Sequence, residues 1–97
     1  MAANSRLVEV LGLPPLYASG VRYAREARGQ ERWQLAPVTL RLGRGDCEDL
    51  ATWRAGELRA RGHDAWARVV RTGPRQLHVV VELANGDIED PSRVLGM

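Results

Sequence analysis

Three side chains, distant along the chain, have the types and the order of a thiol catalyst. Cys47 stands in Gly45-Asp46-Cys47-Glu48-Asp49-Leu50-Ala51, where a glycine-punctuated loop gives way to a helical pattern. His78 opens the apolar run His78-Val79-Val80-Val81-Glu82-Leu83, and Asp90 directly precedes Pro91. A nucleophile, a base and a group that orients the base are the parts of a triad for acyl transfer. In such a triad Cys47 attacks a carbonyl, His78 carries the proton, and Asp90 fixes the imidazole tautomer. The reactive form is the thiolate, which the positive end of a helix dipole and a neighbouring imidazolium both favour. Backbone N–H groups at the helix start, that of Cys47 included, can stabilise an oxyanion.

Asp46, Glu48 and Asp49 surround the thiol with negative charge, which works against a thiolate. Carboxylates in a first helical turn are what capping favours, so helix initiation with salt bridges to Arg41 or Arg44 accounts for them. The other reading is a calcium site, because clustered carboxylate oxygens suit a hard cation. Such a cation would also cancel the field that opposes the thiolate.

The elements that must position these residues are legible in outline. Asn4 or Ser5 can cap a first helix through Leu7, Val8, Val10 and Leu11, stopped by Gly12 and Pro14-Pro15. Pro15 suits a first helical position, and residues 16–28 read as a second helix with Leu16, Tyr17, Val21 and Ala24 on one face. Residues 31–42 suggest extended or irregular structure, with Pro37 arguing against a central strand. A third helix runs from Asp46 or Cys47 to Arg61, with Gly62 as its stop. Cys47, Leu50, Ala51, Ala55 and Leu58 share a face of it, so the thiol points from the first turn towards whatever that helix packs against.

Three strands follow. Residues 65–71 alternate loosely, Gly73-Pro74 is a turn, and residues 76–83 form the strongest strand. Asn85-Gly86 marks a hairpin, and residues 87–90 return antiparallel. Here register makes a sharp demand. A two-residue loop would set Asp90 opposite Val81, on the face away from His78. A three-residue loop with a bulge shifts the pairing by one and brings His78 and Asp90 to one face. The triad requires the second form.

Size and composition bound the rest. Ninety-seven residues make a single domain with one core. No apolar run is long enough to span a bilayer, and the first residues lack the layout of a secretory signal. The single cysteine excludes an internal disulfide and, with only two histidines, a cysteine-rich zinc site. All 14 basic residues are arginine and the net charge is only +2. The arginines are scattered and aromatics few, which argues against a nucleic-acid surface.

Gly45-Asp46-Cys47-Glu48-Asp49-Leu50-Ala51, Leu58-Arg59-Ala60-Arg61-Gly62-His63-Asp64-Ala65, His78-Val79-Val80-Val81-Glu82 and Asp90-Pro91 together resemble the transglutaminase-like superfamily. The likeness covers residues 43–92 as a catalytic core, preceded by a helical part over 1–32. It implies an α+β, papain-like fold in which a Cys-bearing helix packs on a small antiparallel sheet that carries the His and the Asp. It implies Cys47 as nucleophile, His78 as base and Asp90 as orienter. Trp33 and Gln34 are the nearest candidates for an upstream oxyanion side chain. The acidic run is similar to bacterial transglutaminase-like cysteine proteinases, in which such residues bind calcium. The compact form also resembles short members encoded among phage and prophage structural genes.

Taken singly, each residue has a plainer account. A lone cysteine on an apolar helix face is a packing residue, a histidine opening a strand a structural one, and an aspartate before proline a turn residue. His63 reads as a loop residue, and Trp53 and Trp66 as core or groove-lining with partnered indole N–H groups. Taken together, the expected function is thiol-dependent acyl chemistry on an amide, as cysteine peptidase, amidase or transglutaminase, with a protein or peptide substrate. The alternative is a catalytically silent virion or assembly protein that binds protein partners. The expected location is cytoplasmic or virion-associated.

Overall fold

The structure is a computed structural model that describes residues 2–25 and 35–97. It is an α+β fold in three layers, with one helix in the middle. Helix α1 (Ala2–Leu11) leads to a 3-10 turn (Leu16–Ala18), strand β1 (Arg22–Tyr23), helix α2 (Ala36–Leu42) and strand β2 (Arg44–Gly45). Helix α3 (Cys47–Ala60) follows, then β3 (Ala65–Gly73), β4 (Gln76–Leu83), β5 (Ile88–Glu89) and a short helix α4 (Pro91–Val94). Strands β3, β4 and β5 form an antiparallel sheet in that order, while β1 and β2 make a separate parallel pair. Among the described residues no helix is long and apolar enough to cross a membrane.

Helix α3 is the shared wall of two apolar clusters. On one side Leu50 and Trp53 pack with Leu16, Val21, Ala36 and Leu95. On the other, Ala51, Ala55 and Leu58 meet Ala65 and Val81 of the sheet. The alanines at i and i+4 lie one above the other on the sheet-facing side, so small side chains let β4 approach closely. Burying a side chain such as Leu50 contributes roughly 1.5–3 kcal/mol. A helix buried on both flanks depends on that packing more than on intrinsic helix propensity.

Two expectations are corrected. Residues 16–28 do not form a second helix: the 3-10 turn ends at Ala18, and Gly20 takes φ +82°, in the left-handed region. Ser19 secures the reversal, donating to the Leu16 carbonyl at 2.6 Å and accepting from the Val21 N–H at 3.1 Å. The chain leaves extended into β1, and positions 26–28 lie outside the described residues. Within residues 31–42, α2 replaces the expected extended stretch. Pro37 sits in its first turn, where a missing N–H costs nothing. The apolar residues misled because Leu35, Val38 and Leu42 are exposed, while Ala36 and Thr39 are the buried ones. Positions 31–34, with Trp33 and Gln34, lie outside the described residues.

Trp53 is fully buried, but its indole Nε1 has no hydrogen-bond partner among the described residues, contrary to expectation. Trp66 does find one, donating to Glu82 Oε2 at 2.7 Å. His63 is exposed in the loop after α3.

Candidate active site

Cys47 is the first residue of α3, and a reciprocal capping box holds it there. Asp46 Oδ1 accepts from the Asp49 N–H, and Asp49 Oδ2 accepts from the Asp46 N–H, both at 3.1 Å. Two orphan donors of the helix start are thereby satisfied. The preceding Gly45 pairs with Tyr23 across the parallel β1–β2 ladder, which fixes the entry to the helix. A Cβ at Gly45 would stand 3.0 Å from both Asp49 Cβ and Thr39 Cγ2, so only glycine fits this approach unstrained.

The hairpin places the other two residues. Val81 pairs with Glu89 and Glu82 with Ile88, so the connection after Leu83 has the three-residue form. Gly86 donates to the Leu83 carbonyl at 2.9 Å and takes φ +89°, and Leu83 N–H donates to the Asp87 carbonyl at 2.9 Å. Continuing this register sets Asp90 opposite Val80, on the face that carries His78. His78 Nε2 lies 2.9 Å from Asp90 Oδ2. A carboxylate only accepts, so Nε2 carries the proton and Nδ1 is the nitrogen left for exchange with a neighbour. Asp90 is held from its other side as well: it caps α4, accepting from the Arg93 N–H at 3.5 Å.

Cys47, His78 and Asp90 line one cleft of about 550 Å³, together with Tyr23 and Asp46. Within it His78 and Asp90 touch, while the backbone N–H of Val79 on the sheet acts on the sulfur so as to favour its charged form. A direct sulfur–imidazole hydrogen bond is not among the contacts of the described residues. Burial pushes the Cys47 thiol above its usual pKa, and the Asp46 carboxylate adds to that. The N–H groups of Val79, Glu48 and Cys47 pull the other way without reversing it. The expected lowering at the helix start is thus outweighed by desolvation, and the thiol rests protonated.

Asp46 and Asp49 each commit one carboxylate oxygen to the capping box. Among the described residues no group of three or more His, Cys, Asp and Glu side chains gathers as a metal cage. The acidic run thus serves as a helix cap.

Sequence reasoning missed the cleft's arginines, Arg25, Arg75 and Arg93, and Tyr23 on β1. Arg75 had a signal, since it sits at the β3–β4 turn three residues before His78. The others reach the cleft only through tertiary packing. Comparison of the chain with protein-family models, with curated proteins and with solved structures finds no match.

Proposed function

We propose that the protein performs thiol-dependent acyl chemistry on amides of protein or peptide substrates, as a cysteine peptidase, amidase or transglutaminase on a papain-like fold. The observation that carries it is the His78–Asp90 hydrogen bond in the cleft that also holds Cys47. In this mechanism the resting thiol is neutral. As the sulfur attacks the carbonyl carbon, its proton passes to His78 Nδ1, and Asp90 steadies the imidazolium that forms. The carbonyl π electrons move to oxygen, and backbone N–H groups at the start of α3 are the donors placed to receive that charge. His78 then returns the proton to the leaving amine, which departs with its electron pair. Water or an amine next attacks the thioester, and the sulfur leaves with the electrons and takes up a proton.

The test uses p-nitrophenyl acetate as an activated acyl donor. Expected is a burst of nitrophenolate with an acetyl adduct on Cys47, absent in Cys47→Ser and slowed at least about tenfold in His78→Ala. Acylation no faster than that of a free thiol would sink the proposal.

A second reading is a silent scaffold for virion or assembly proteins. It is favoured by the burial that raises the thiol pKa and by the absence of a sulfur–imidazole hydrogen bond among the described residues. A chain that assembles unchanged after Cys47→Ser and shows no burst decides for it. Calcium at Asp46, Glu48 and Asp49 is the lesser proposal; a Tm that rises with Ca²⁺ in wild type but not in Glu48→Gln supports it, and an unmoved Tm rejects it.

A further inference from the structure

We infer that the cleft recognises an acidic peptide, through Arg25, Arg75 and Arg93. This rests on the cleft being the substrate site, and it adds the class of substrate. Three guanidinium groups line the same cavity as Cys47 and His78, against only two carboxylates, Asp46 and Asp90. Both carboxylates are already engaged, Asp46 by the Asp49 N–H and Asp90 by His78. Arg93 makes only a loose ion pair, its Nε 3.6 Å from Asp90 Oδ2, and its side chain is 78% exposed. Arg25 and Arg75 make no ion pair among the described residues, and both are exposed at the cleft rim.

Arg54 and Arg68, by contrast, are tightly matched to carboxylates at hydrogen-bond distance, Glu57 and Glu89 for the first and Glu82 for the second. The cleft therefore carries guanidinium forks with donors to spare, a geometry that matches carboxylates bidentately. Polar Thr72 and Gln76 flank them on the hairpin side. A volume of about 550 Å³ suits a short peptide segment, and among the described residues Tyr23 is the only Phe, Tyr or Trp lining it, a poor platform for a stacked single strand of nucleic acid.

The probes are acetyl-Glu-Gln-Glu-amide and its neutral counterpart acetyl-Gln-Gln-Gln-amide, titrated against the full chain while the His78 imidazole is followed by NMR. The acidic peptide is expected to bind about tenfold more tightly at low ionic strength, the sum of several rim charge pairs. The preference should vanish in the triple variant Arg25→Gln, Arg75→Gln, Arg93→Gln and fall at least about threefold in the double variant Arg25→Gln, Arg75→Gln, whose exposed sites leave the fold intact, and it should shrink at ~1 M salt. Equal binding of the two peptides, no binding of either, or a preference undiminished in the double variant would overturn the inference. So would a DNA oligonucleotide that binds more tightly than the acidic peptide with the same arginine dependence. The two proposals fail separately. Charge-selective binding without acylation of Cys47 removes the catalytic reading alone. Acylation with indifference to peptide charge removes this one alone.

Discussion

His78 Nε2 and Asp90 Oδ2 are 2.9 Å apart although twelve positions separate the residues, because a three-residue hairpin loop puts both on one face of the sheet. Asp90 also caps α4, so its carboxylate cannot drift without loosening that helix. Asp90→Asn separates the two duties, since asparagine caps as well as aspartate does. Stability should change by less than ~1 kcal/mol, while acylation of Cys47 should fall by about a hundredfold or more. A full-rate variant in the nitrophenyl acetate burst would show that the pair is structural.

Gly45→Ala should damage the site through its support. The added methyl group meets Asp49 Cβ and Thr39 Cγ2 at 3.0 Å, and neither neighbour is the loose end of a long side chain. Overpacking of this kind costs about 1–3 kcal/mol. Denaturant unfolding reads the loss, and the alkylation rate of Cys47 should change with it because Asp49 closes the capping box.

Arg54 ties the central helix to the edge of the sheet. It binds Glu89 with Nε and Nη2 at 2.7 and 3.2 Å, reaches Glu57 at 3.2 Å, and lies over the Tyr17 ring. Glu57 is 2% exposed and accepts from the Leu16 N–H with both oxygens. Removing one member strands the others in a poorly solvated place, so Glu57→Ala should cost about 3–5 kcal/mol. Thermal melts at neutral pH measure it, and a loss under about 1 kcal/mol would mean the network contributes only as a surface ion pair does.

Alkaline pH should destabilise the fold in two steps. Burial raises the Cys47 thiol, and burial together with the Glu89 carboxylate raises the Tyr17 phenol. For both groups the folded pKa exceeds the unfolded one, so the native state holds more protons. Their contribution is complete below the unfolded pKa and is lost as pH climbs towards the folded value. Tm should therefore decline from pH ~8.5, and more steeply above ~10. Cys47→Ala should flatten the first step and Tyr17→Phe the second. Iodoacetamide labelling of Cys47 should likewise rise through alkaline pH; a plateau already reached at about pH 6 would indicate a thiolate–imidazolium pair instead.

Helix α3 and the β3–β4–β5 meander were legible because their signals are local and agree. Asp46 with Asp49 marked a helix start, Gly62 its stop, and Asn85-Gly86 the hairpin. The His78–Asp90 relation was legible only as a condition, since sequence does not choose between two loop lengths. The failures came where tertiary packing overrode local pattern. Gly20 broke an apparent helix, and in α2 the buried face belongs to Ala36 and Thr39 rather than to the larger apolar residues. The sequence shows the helix dipole and the acidic neighbours, which act on the thiol in opposite senses, but not the burial that raises it. The arginine-lined rim was invisible because Arg25, Arg75 and Arg93 come from three separate segments.

With α3 lining both apolar clusters, neither half of the molecule has a hydrophobic seam of its own along which to open. The chain should therefore melt as a single cooperative unit, with calorimetric and van't Hoff enthalpies equal. Exchange of the α3 amides with solvent should then demand the whole unfolding free energy rather than a local fluctuation. The sulfur, already facing the cleft, is therefore presented from a fixed helix start.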